Sequence, residues 1–134
     1  MALEQKNRKK EDYESILSKD NYELLEWLEE EFSIDIPKNL DSIEQMELAE
    51  TLLSRFGSQI VYLDYLYSYS KIKLRELRKE KVEKVIIDEY IDKKDTIEKA
   101  LDGVKALQSA VSRMVTTRQE INKELFQPTV YRKK

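Results

Sequence analysis

The sequence predicts an all-α fold, a long antiparallel helical hairpin of coiled-coil type with a short N-terminal helix, and three observations carry that expectation. Glycine and proline together fill only four of 134 positions, too few for the turns a sheet needs every few residues. Apolar residues recur at steps of three and four over most of the chain, the spacing that keeps them on one side of a helix. At three places an Asp stands three residues before a Glu just ahead of such a run: Asp20 and Glu23, Asp41 and Glu44, Asp95 and Glu98. The Asp accepts from first-turn amides and the Glu reaches back, so each pair marks a helix start.

Residues 1–11 are polar and are expected to form a flexible tail. Residues 12–127 read as a single helical domain. Its first helix is expected over about 21–32, with Leu24, Leu25, Leu28 and Phe32 on one side and Trp27 at the flank. In "SIDIPKN" Pro37 drives Ile36 out of the helical region and breaks the chain.

A second helix is expected over about 42–91, roughly 75 Å at 1.5 Å per residue. Its seam runs Met46, Ala49, Leu53, Phe56, Ile60, Leu63, Tyr67, polar Ser70, Leu74 and Leu77, a heptad pattern. Past Leu77 the frame lands on Lys81 and Lys84, while Val82, Val85, Ile86 and Tyr90 carry the apolar surface. A stutter or a change of partner is therefore expected near Lys79.

The third helix, about 96–126, repeats the step with Ile97, Ala100, Val104, Leu107, Val111, Met114, Ile121 and Leu125, interrupted only by Arg118. Pro128 stops it, and residues 128–134 form a basic tail. The connecting "DEYIDKKD" is rich in Asp, a poor helix-interior residue, and the two seams are out of phase across it. A hairpin folding back at Asp92 to Asp95 is thus expected ahead of the alternative, one unbroken rod.

Cysteine and histidine are both absent. That removes disulfides, thiolate chemistry, any zinc site built on sulfur, imidazole metal ligands, and the commonest general base. Glu23, Glu26 and Glu30 share a helix face, but without histidine they do not make a di-iron pattern. "DEYIDKKD" lacks the glycine of a calcium loop, and the chain has no glycine-rich phosphate loop. The expectation is a non-enzyme with no cofactor and no metal. No window approaches a membrane span, so a cytoplasmic protein is expected.

Net charge is -3, but its distribution is uneven. Residues 11–50 carry fourteen acids against Lys19 and Lys38, whereas residues 51–134 are net +6. The acidic arm suits a basic protein partner or simple solubility.

"IVYLDYLYSYSKIKLRELRKEKVEK", residues 60–84, joins aromatic rings to cations. Tyr62, Tyr65 and Tyr69 share one stripe and Leu66 lies between it and the main seam, so the segment is apolar over more than half its girth. Such a helix needs two neighbours, and an oligomer contact or the docking of the first helix is expected there. Residues 71–84 are net +4, with Lys71, Arg75 and Arg78 forming a stripe free of acids until Val82. The plain reading is a solvated face; the functional one is phosphate binding, with rings stacking on bases.

"SKIKLRELRKEKVEKVIIDEYID" together with "VSRMVTTRQEINKELF" resembles the small helical recombination mediators of T-even-like phages, the UvsY type. In that family a basic helix ending in a Tyr-containing stretch precedes a helix that closes on an Arg, an Ile and an aromatic, matched here by Arg118, Ile121 and Phe126. The resemblance implies a homo-oligomer without catalytic activity that binds single-stranded DNA and helps load a recombinase in the host cytoplasm. It would place phosphate contacts on Lys71, Lys73, Arg75, Arg78, Lys79, Lys81 and Lys84. The alternative is a structural or adaptor protein, a phage assembly or regulatory component acting through protein contacts alone.

Overall fold

The computed structural model describes residues 12–33 and 36–126; the expected N-terminal and C-terminal tails lie outside them. Four helices follow one another: α1 over residues 12–17, α2 over Asn21–Phe32, α3 over Ile43–Lys79 and α4 over Lys84–Phe126. No strand occurs among the described residues. The two long helices pack against each other antiparallel, with the short ones laid across them. The register shows in three places: Asp41, just ahead of α3, meets Arg118 near the end of α4, Leu53 lies by Gln108, and Tyr67 by Glu98.

Two of the three expected helix starts have corrections. Asp20 caps α2 as expected, its Oδ1 accepting from the Glu23 amide at 2.8 Å. At α3 the cap falls one residue later. Ser42 Oγ accepts from the Gln45 amide at 3.1 Å, while Gln45 Oε1 accepts from the Asp41 and Ser42 amides at 3.0 and 3.2 Å. This reciprocal box satisfies orphan donors that the Asp41 and Glu44 pair leaves unserved. Asp95 starts no helix; it lies inside α4.

The fold-back is also corrected: it lies at residues 80–83, not at Asp92 to Asp95. Two hydrogen bonds close α3, from the Lys81 amide to Arg78 O and from the Val82 amide to Leu77 O, the paired pattern of a Schellman cap. Lys81 supplies the left-handed residue at φ 56°, where glycine is usual, so the sequence carries no glycine to mark the turn. Leu77 and Val82, the cap's apolar pair, are half-buried. The break in the seam near Lys79 is therefore the chain reversal itself. "DEYIDKKD" stays helical because the cost of Asp in a helix is only about 0.7 kcal/mol. Burial of Ile97 and of the Lys93 stem on the same face outweighs it.

The core lies where all four helices meet. Phe56, Leu63 and Leu66 of α3, Leu24 and Leu28 of α2, and Ile97, Leu101, Val104 and Val111 of α4 are all buried. Leu52, Gln59 and Leu66 lie deeper than their expected neighbours Leu53, Ile60 and Tyr67. The short helices cover the second flank of α3, shifting the buried row sideways. Ser70, the polar break in the seam, is fully buried and donates to Tyr67 O at 2.6 Å, which removes the cost of hiding a hydroxyl.

α1 has no counterpart in the sequence reading. Its Tyr13, Ile16 and Leu17 are all core residues. The acidic segment 11–50 is thus not a separate arm over its described part: α1, α2 and the first turns of α3 belong to the packed body, with their carboxylates turned outward.

Candidate nucleic-acid interface

The hairpin tip gathers the seven cations on both sides of the turn. Lys71, Lys73, Arg75, Arg78 and Lys79 lie on the last turns of α3, Lys81 in the turn, and Lys84 at the start of α4. Leu74 is the buried anchor that orients this end of α3. All seven except half-buried Lys73 are exposed. Among the described residues none of them lies within 4.0 Å of a carboxylate. Lys71 Nζ instead sits 4.5 Å from the centre of the Tyr67 ring, a cation–π contact.

The tip is not purely positive. Glu76, Glu80 and Glu83 are exposed among the cations, and the fold-back brings Asp88, Glu89 and Asp92 of α4 alongside. Arg78 and Lys79 also sit at the negative end of the α3 dipole, which stabilises them whether or not a ligand binds.

The tyrosines divide. Tyr62 and Tyr69 face inward and build an aromatic cluster with the short helices. The Tyr13 ring lies 5.7 Å from Tyr62 and 5.6 Å from Tyr69. Trp27 and Phe32 lie 6.4 and 6.1 Å from Tyr62. Tyr69 Oη donates to Glu14 at 2.8 Å. Of the two partners expected for this stripe, the docked first helix is present, extended by α1. Leu66 is fully buried beneath, and Arg118 pairs within the chain with Asp41 at 3.7 Å. Tyr65 alone of that set is turned outward, 56% exposed.

These surroundings shift the phenols. Burial pushes Tyr62 up to about 12, helped by Tyr13, Asp12 and Glu31. Tyr67 is also pushed up to about 12, first by its hydrogen bond to Glu98 and then by burial. Burial followed by the bond to Glu14 raises Tyr69, and burial raises Tyr13.

Sequence reasoning missed Lys93. Its side chain is buried, and Nζ donates to Leu17 O at 2.7 Å while lying 4.6 Å from the centre of the Tyr90 ring. The ammonium thereby caps the C-terminus of α1, where last-turn carbonyls have no helical partner. Burial lowers its pKa, with Glu89 and Asp20 opposing. A signal was available: Lys93 stands four residues before Ile97 on the α4 seam, hidden by placing the turn across it.

On the body an open groove of 880 Å³ runs between α2 and α4, lined by Leu25, Phe32, Ala100, Gly103 and Leu107. No group of three metal-ligating side chains occurs among the described residues, and none of their helices is long and apolar enough to cross a membrane. Comparison of the chain with protein families, curated proteins and solved structures finds no match.

Proposed function

We propose that this chain is a non-catalytic, self-associating helical binding protein whose hairpin tip holds single-stranded DNA, in the manner of a recombination mediator that serves a recombinase. The observation that carries the reading is the set of seven cations, six of them exposed, without a carboxylate within 4.0 Å among the described residues. The row from Lys71 to Arg78 spans about 11 Å at 1.5 Å per residue, enough to follow a short run of phosphates. Tyr67, already beside Lys71, offers ring surface nearby, and stacking on a ring tolerates any base. One tip makes few contacts, so copies held together add them by avidity.

Binding should weaken with salt. About three phosphate contacts on a single strand give a slope of log K against log salt near −2. A slope near zero removes the reading. Lys71→Ala with Arg78→Ala should lose oligonucleotide affinity while helicity by circular dichroism is unchanged.

A second reading, an adaptor acting through protein contacts, is favoured by the carboxylates on the outer surface of α1 and α2. Asp12, Glu23, Glu26 and Glu30 are exposed there and suit a basic protein partner. If the double variant leaves oligonucleotide binding as it was, the adaptor reading stands and the nucleic-acid one does not.

A further inference from the structure

The outer side of α3 carries a feature that neither the core nor the tip accounts for. Opposite its buried row runs a strip with no charge from Ser54 to Ile72: Ser54, Gly57, Ser58, Val61, Tyr65, Ser68 and Ile72. It extends about 27 Å at 1.5 Å per residue, in a chain that is 38% charged. Val61, Tyr65 and Ile72 are 54%, 56% and 50% exposed. Gly57 adds a second oddity. A glycine inside a helix is destabilising, and a Cβ there would meet nothing within 4 Å, so nothing among the described residues requires it.

The two ends of the strip carry opposite charge. Before it stand Glu44, Glu47 and Glu50 without a base; after it stand Arg75, Arg78 and Lys79 against Glu76 alone. Glu47 and Lys79 are each seven residues beyond an end of the strip and lie on the same row, both exposed. We infer that this face pairs with the same face of a second copy, the two α3 helices running antiparallel about a two-fold axis near residue 63. That arrangement sets Ser54 opposite Ile72, Val61 opposite Tyr65, and Glu47 opposite Lys79, with Glu50 beside Arg75. A parallel pairing sets Glu47 against Glu47 and Lys79 against Lys79. Small residues at 54, 57 and 58 allow the backbones to approach closely, and the apolar side chains then leave water together. Lys71 and Arg78 lie roughly a third of a turn away at 100° per residue and stay open to a strand. The inference supplies the contact that the self-association in the functional reading requires.

The test uses the full chain without oligonucleotide, so its failure is separate from any failure of DNA binding. Sedimentation equilibrium should return twice the 16.0 kDa chain mass at tens of micromolar. Tyr65→Glu with Ile72→Glu should return the single mass with helicity kept. A wild-type monomer throughout that range, or a dimer indifferent to the double change, overturns the inference. Because the chain lacks cysteine, orientation is read independently with single cysteines and a short bis-maleimide. Ser54→Cys mixed with Ile72→Cys should cross-link as a pair, and Ser54→Cys alone should not. Cross-linking of Ser54→Cys to itself would overturn the antiparallel arrangement.

Discussion

Along α3 the stretch from Phe56 to Tyr69 and the stretch from Lys71 to Lys79 have similar apolar spacing but different fates. The first is held between α4 on one side and α1 with α2 on the other, and Phe56, Leu63 and Leu66 have no exposed surface. The second has α4 as its neighbour, and there Ile72 is half exposed, Leu77 half-buried, and Val85 across the turn 66% exposed. Two helices cover only one stripe of each other; a third layer is needed to close the second flank. The tip therefore has little burial to hold it and a surface free for a ligand, while in the body both flanks of α3 are covered and its outer strip is left open.

The difference gives a first and largest prediction. Leu63→Ala should cost about 2–5 kcal/mol because it opens a cavity between packed helices, whereas Ile72→Ala should shift the urea midpoint of the monomeric protein very little. Equal losses at the two sites would erase the distinction between body and tip.

Alkali should attack the body next. The phenols of Tyr62 and Tyr67 hold their protons to about 12, and those of Tyr13 and Tyr69 are raised as well. In the unfolded chain all four ionise near 10. Between these values the unfolded state gives up protons that the folded state keeps. The contribution is thus complete below pH 10 and drains away as pH rises through 12. Lys93 acts with the opposite sign, since its lowered pKa makes the folded state shed a proton first as pH approaches 10.5. One lysine is outnumbered by four tyrosines, so unfolding and tyrosinate absorbance should rise together between pH 10 and 12. Tyr62→Phe should move that transition upward.

Lys93→Ala tests the seam between the short helices and the hairpin. Leaving Leu17 O without its donor should cost about 1–3 kcal/mol. Hydrogen exchange should quicken first at residues 12–19, with α3 and α4 amides still protected.

The smallest effect belongs to the tip. Lys81→Gly relieves a left-handed residue and should gain about 1 kcal/mol, read as a raised thermal midpoint. A loss there would mean that the turn is not the Schellman cap described above.

Much of this architecture is legible along the chain. Helical class, the α2 limits and half of the buried α4 positions, Ile97, Val104 and Val111, follow from spacing and from the Asp20 cap, because each depends on residues within a few positions. The turn was misplaced by about a dozen residues because its signal is a hydrogen-bond pattern around a lysine, with no glycine to announce it. The Asp-rich stretch looked like a break only while its tertiary partners were unknown. The tip cations were legible as a run, whereas Lys93 was not, because its role depends on a carbonyl 76 positions away.

By itself the sequence determined that this chain is helical, that its long segments carry an apolar edge, and that it has no thiol or imidazole of its own. Tertiary structure decided where the chain reverses, which tyrosines turn inward, and that α1 seals the body. Spacing reports only that a helix has an oily side. Which distant segment covers that side is settled by burial compared across the whole molecule, and here a six-residue helix carrying Tyr13, Ile16 and Leu17 covers the aromatic flank of α3.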